Sequence, residues 1–179
     1  MKEISMHILD IALNSIKAEA TLLEILIEDS IKKNRLQISI KDNGKGMSEE
    51  VKNKVTDPFY TTRQTRKVGL GIPLLKAACE RSNGYLSIES KLDEGTRIFC
   101  FFERDHIDRS PLGNMGDTIM SIINCQGNCE LVYTYRTDRG EFTLDTREVK
   151  NILHGVDIRD SKILLWINEY INENMRNLS

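Results

Sequence analysis

The sequence lacks several things that would commit it to common roles. No apolar run approaches the roughly 20 residues needed to span a bilayer, so no membrane segment is expected. Basic and acidic residues nearly cancel, 25 against 27, for a net charge of −2 and a pI near 6.0. That balance gives no electrostatic reason to bind nucleic acid or an anionic membrane. The four cysteines, Cys79, Cys100, Cys125 and Cys129, form no dense disulfide framework, and a reduced, cytoplasmic setting is expected. The opening Met-Lys-Glu-Ile-Ser enters a helical pattern at once, without the architecture of a signal peptide. There is no internal repeat and no low-complexity tract. What remains is 179 residues with 40% hydrophobic and 29% charged side chains. This suits one ordinary domain, or one domain with a small appendage.

The informative stretch is Asp42-Asn43-Gly44-Lys45-Gly46-Met47. It follows Leu36, Ile38 and Ile40, whose alternation predicts a strand. An aspartate at a strand end, followed by two glycines one residue apart, lets the backbone turn sharply and approach a flat ligand. Its carboxylate can then accept a hydrogen bond from a ring amine. Taken alone, the loop reads first as an ordinary tight turn.

Upstream, residues 4–18 predict an amphipathic helix, with Ile8, Leu9, Ile11, Ala12, Leu13 and Ile16 on its apolar face. His7, Asp10, Asn14 and Lys17 share the opposite stripe, either a solvated face or a functional one. Strands are expected at 21–28 and 35–41, and a short helix capped by Ser48 follows the glycine loop. Downstream lie Asp57-Pro58-Phe59-Tyr60-Thr61-Thr62-Arg63 and a basic stretch to Lys67. Gly69-Leu70-Gly71 then enters a helix, with Pro73 in its first turn. A glycine-rich helix entry offers free N–H groups and the positive end of the dipole to an anion. Two more strands follow at 85–90 and 96–103. The run Phe99-Cys100-Phe101-Phe102 predicts a strand buried on both faces.

These pieces, in this order, resemble the Bergerat-type ATP-binding domain of the GHKL superfamily, shared by DNA gyrase, mismatch-repair ATPases, heat-shock chaperones and sensor histidine kinases. The resemblance covers residues 4 to about 103, including Gly95-Thr96. It implies ATP and magnesium as ligands. It implies that Asn14 ligates the magnesium ion, a hard cation that wants oxygen, with Lys17 near the phosphates. Asp42 would accept from the adenine amine, directly and through water shared with Thr96. Gly44 and Gly46 would let the loop close on the base, and Met47 would line the pocket. Gly69, Leu70 and Gly71 would give backbone N–H groups to the phosphates, and Arg63 would either reach phosphate or sit in a solvated loop. Asp10 lies four residues before Asn14, where hydrolytic members place a water-activating glutamate; its shorter side chain leaves hydrolysis and phosphoryl transfer both open. His7 is expected to hydrogen-bond within the pocket.

The fold implied is α+β: a two-layer sandwich over residues 1–105, with a mixed sheet of four or five strands and three helices on one face. Residues 106–179 are expected to form a small αββαα unit. Its hairpin, with Leu131, Tyr133 and Tyr135, and its last helix, with Trp166, would be able to receive a protein partner. Cys125 and Cys129 read either as half of a metal or cluster site or as ordinary thiols. The opening Ser5–Asp10 and the segment 105–113 are also similar to stand-alone bacterial histidine-kinase-like ATP-binding proteins associated with iron-only hydrogenase gene clusters. That resemblance points to a redox-enzyme or signalling partner. No phospho-acceptor hairpin is expected ahead of the Asn14 helix. Three functions therefore stand: a nucleotide-controlled ATPase, a kinase acting on a separate Ser or His, and an ATP-dependent binding module.

Overall fold

The computed structural model describes residues 3–57, 59 and 70–179. In chain order its elements are α1 (Ile4–Lys17), β1 (Leu22–Ser30), β2 (Arg35–Asp42), α2 (Glu49–Lys54), α3 (Gly71–Arg81), β3 (Tyr85–Lys91) and β4 (Gly95–Glu103). They continue with α4 (Met115–Cys125), β5 (Glu130–Thr137), β6 (Gly140–Asp145), α5 (Thr146–Leu153) and α6 (Ser161–Leu178). The expected strands and helices are present. Ser48 caps α2, its hydroxyl accepting from the Val51 amide at 3.3 Å. Among the described residues no helix is long and apolar enough to cross a membrane.

Strands form one mixed sheet in the order β3-β4-β2-β1-β5-β6. Every neighbouring pair is antiparallel except β1 and β5. Alternation decides which face is covered. Ile25 lies opposite Ile40, Ile27 opposite Ile38, and Ile38 opposite Cys100, so one face carries the buried apolar side chains of the strands. The buried faces of α1, α3, α4 and α6 join the same core. Removing each isoleucine from water contributes roughly 1.5–3 kcal/mol.

Two expectations need correction. The Phe99–Phe102 strand is not buried on both faces: Cys100 and Phe102 are buried, whereas Phe99 and Phe101 are half-buried on the open face. There the rings are covered locally rather than by a second layer. Tyr85 lies 5.9 and 5.7 Å from Phe99 and Phe101, and the Arg35 guanidinium stands 4.8 Å over Phe101. Second, Leu131, Tyr133 and Tyr135 are not a docking surface. β5 pairs with β1 from Leu22–Glu130 to Asp29–Thr137, and this register turns all three side chains into the core, each at most 2% exposed. Among the described residues the sheet thus has six strands rather than four or five, and side chains from residues 106–179 share its core.

The same stretch holds α1 in place. Among the described residues no side chain caps α1; instead the Ile4 and Ser5 amides donate to the carbonyls of Pro111 and Leu112, at 3.0 and 2.8 Å. These satisfy two of the helix's orphan donors. On either side α1 packs against α3 and α4, which fixes the helix carrying Asp10 and Asn14.

Candidate functional site

β2 delivers Asp42 to the end of the sheet, 9% exposed. Its Oδ2 accepts from the Ser15 hydroxyl at 2.6 Å, and its Oδ1 from the Gly44 amide at 2.9 Å. Hydrogen bonds to a charged acceptor are about twice as strong as neutral ones, so two of them hold the carboxylate in place. Asn43 fastens the loop: its Oδ1 accepts from the Thr21 and Leu22 amides at 2.8 and 3.0 Å, and its Nδ2 donates to Thr21 Oγ1 at 2.8 Å.

The loop interlocks with the β3–β4 turn. Gly46 has φ +66° with the Lys91 carbonyl against it, and Gly95 has φ +102° with the Asp42 carbonyl against it. A side chain at either position would meet both a strained backbone and a main-chain atom. The Asp93 amide donates to Lys45 O at 2.7 Å, and the Lys45 amide to Ala18 O at 2.9 Å. The turn, the loop and the end of α1 therefore form one hydrogen-bonded unit.

Between them lies a pocket of about 180 Å³, with Asn14, Asp42, Gly46, Met47 and Thr96 in its lining. These five expected site residues are brought together, and Gly44 shapes the loop beside them. Apolar side chains complete the walls: Ile11, Ala18, Ile40, Val55, Ile72 and Ile98. An apolar slot with one fixed carboxylate suits a flat heterocycle bearing an amine.

Asp10 lies one turn before Asn14, and its carboxylate rests against Gly71, where a Cβ would collide with it. Gly71 is the first residue of α3 and Leu70 its N-cap position; among the described residues no side chain caps this helix. The positive end of its dipole lies beside Asp10. Lys17 is exposed on the last turn of α1 and does not line the pocket. Arg63 and Gly69 lie outside the described residues.

His7 departs from expectation. It is 2% exposed, does not line the pocket, and its Nδ1 has no hydrogen-bond partner among the described residues. Burial lowers its pKa, and Asp10 opposes that only in part. The stripe His7-Asp10-Asn14-Lys17 thus runs from core to solvent, because α3 packs beside the start of α1. Cys129 is buried and its thiol pushed up to about 11, chiefly by burial, whereas Cys125 is exposed.

Two polar residues of the site went unread in the sequence. Ser15 carried a signal: a hydroxyl on a buried helix face needs a partner, and it is 4% exposed. Ser90 bonds Met47, Gly95 and Thr96, and nothing local announced it.

Residues 2–106 match the family described as histidine kinase-, DNA gyrase B- and HSP90-like ATPase. The chain belongs to this family. It carries the family's ATP-binding domain, and the pocket beside Asp42 lies within the matched residues. Among curated proteins it is similar to sensor histidine kinase YvrG of Bacillus subtilis, 30% identical over 97 residues, covering 51% of this chain and 16% of that protein. It is also similar to sporulation kinase A of the same organism, 27% identical over 104 residues, covering 58% of this chain and 16% of the kinase. The matched segment is thus less than a fifth of either kinase. Among solved structures, the N-terminal domain of a DNA repair protein shares the fold, with a TM-score of 0.55 at 14% identity. That match covers 81% of this chain and 53% of the other.

Proposed function

We propose that this chain binds ATP with magnesium and acts as a nucleotide-controlled regulatory or ATPase module. The observation that carries the reading is the Asp42 carboxylate. It is buried, anchored by Ser15 and Gly44, and part of a pocket that also contains Asn14, Met47 and Thr96. A fixed acceptor at the end of an apolar slot selects a base with an exocyclic amine. The residues fit a magnesium ion as well. Asn14 lines the pocket with a carboxamide that makes no hydrogen bond among the described residues, and its oxygen is the ligand type a hard cation takes. Magnesium bound there would neutralise phosphate charge. The start of α3 would offer first-turn N–H groups to the same phosphates, and Asp10, which rests against Gly71, would orient or deprotonate an attacking water.

The similarity to sensor and sporulation kinases favours a second reading, phosphoryl transfer to a side chain of a separate protein. A signalling or redox-enzyme partner would then receive the nucleotide state. One experiment separates these readings: labelled Mg-ATP incubated with the purified chain, alone and with host lysate. Phosphate release by the chain alone supports the ATPase, and label on a second protein supports the kinase. Tight binding with neither supports a pure switch. Absence of binding to ATP in calorimetry contradicts all three.

A further inference from the structure

We propose that Ser90 is a specificity-determining residue that fixes the Thr96 hydroxyl as an acceptor, so that two acceptors rather than one select a 6-amino purine. The inference rests on the adenine reading of the pocket. Asp42 on β2 is paired with Thr96 on β4, and Thr96 with Ser90 on β3, so the three side chains form one row across three strands. Ser90 Oγ has one proton and two lone pairs. It lies 2.8 Å from the Met47 amide, 3.0 Å from the Gly95 carbonyl and 2.8 Å from Thr96 Oγ1.

The first two contacts leave no choice of direction. An amide can only donate, so Met47 takes one lone pair; a carbonyl can only accept, so Gly95 takes the proton. One lone pair remains, and Thr96 must donate into it. With its proton committed, Thr96 Oγ1 has only lone pairs to offer a ligand. The Asp42 carboxylate, whose two oxygens already accept from Ser15 and Gly44, likewise offers lone pairs. Both residues line the pocket. An amine donates to that row directly, whereas a 6-oxo group in the same place leaves acceptors facing an acceptor.

The test titrates the full chain by calorimetry with Mg-ATP and with Mg-ITP, whose base carries a 6-oxo group. Wild type is expected to prefer ATP by roughly 100-fold or more. Ser90→Ala frees Thr96 to turn its proton toward the pocket and donate to the 6-oxo group, so the preference should fall about tenfold. ATP affinity itself should change by less, about threefold. Ser90→Cys keeps the volume but is a poor acceptor; it should show the same fall and serves if the alanine variant does not fold. In a Thr96→Val background, Ser90→Ala should leave the preference unchanged. Equal losses for ATP and ITP in both Ser90 variants would mean that Ser90 merely holds the Met47 loop, which overturns the inference. A wild-type chain that binds neither nucleotide overturns the adenine reading itself, a failure distinguishable from that of Ser90.

Discussion

The two ends of the candidate site are built differently. At the base end the polar side chains are tied to their neighbours: Asp42 holds Ser15 and Gly44, Asn43 holds Thr21 and Leu22, and Ser90 holds Met47, Gly95 and Thr96. At the phosphate end the described groups are uncommitted. α3 has no side-chain cap, Asn14 makes no side-chain hydrogen bond, and Lys17 is exposed. A preorganised base slot loses little entropy when its ligand arrives. The open phosphate end gains most of its bonds only from the ligand, which is where a nucleotide-dependent signal can arise.

The largest effect on this contrast should come from breaking the interlock. Gly95→Val puts a β-branched side chain at φ +102° against the Asp42 carbonyl. It should destabilise the fold by roughly 3 kcal/mol or more and abolish nucleotide binding, as read by thermal melting and titration. A variant that melts like wild type would show that the loop and turn are not one unit.

At the phosphate end, effects should be smaller and confined to ligand binding. Asn14→Ala should remove the magnesium dependence of ATP affinity, with a loss of about 1–2 kcal/mol in magnesium and an unchanged melting temperature. Asp10→Asn should leave binding near wild type and lower any phosphate release about 100-fold. Wild-type hydrolysis in Asp10→Asn would place the base elsewhere.

The smallest effect concerns His7, one turn before Asp10. Burial lowers its folded pKa below the unfolded value of 6.5, so the unfolded chain binds the proton more readily. Stability from this group is present above pH 6.5 and is lost as pH falls through that value toward the folded pKa. Denaturant midpoints between pH 7.5 and 5.5 should fall more for wild type than for His7→Phe. Parallel curves would remove His7 from the account.

Local pattern revealed much of this architecture. The alternation of Leu36, Ile38 and Ile40 gave β2, and the spaced glycines placed Asp42 at a ligand. Non-local features stayed hidden. Pairing of β5 with β1 joins residues over a hundred positions apart, and no local periodicity encodes a partner strand. The helical wheel placed His7 with Asp10, but burial depended on α3 beside it. Phe99 to Phe102 read as doubly buried because hydrophobicity cannot tell a second layer from cover by Tyr85 and Arg35. Ser90 acquires its role only when three strands align.

The most direct measurement is the affinity of folded Asp42→Asn for Mg-ATP beside wild type. Asparagine keeps the size but removes the charge and offers one acceptor in place of two. Affinity should fall by roughly 1.5–3 kcal/mol, about 10- to 150-fold in Kd, with the melting temperature only slightly lowered. An unchanged Kd in a variant that melts as a folded protein would contradict the assignment of this pocket to adenine.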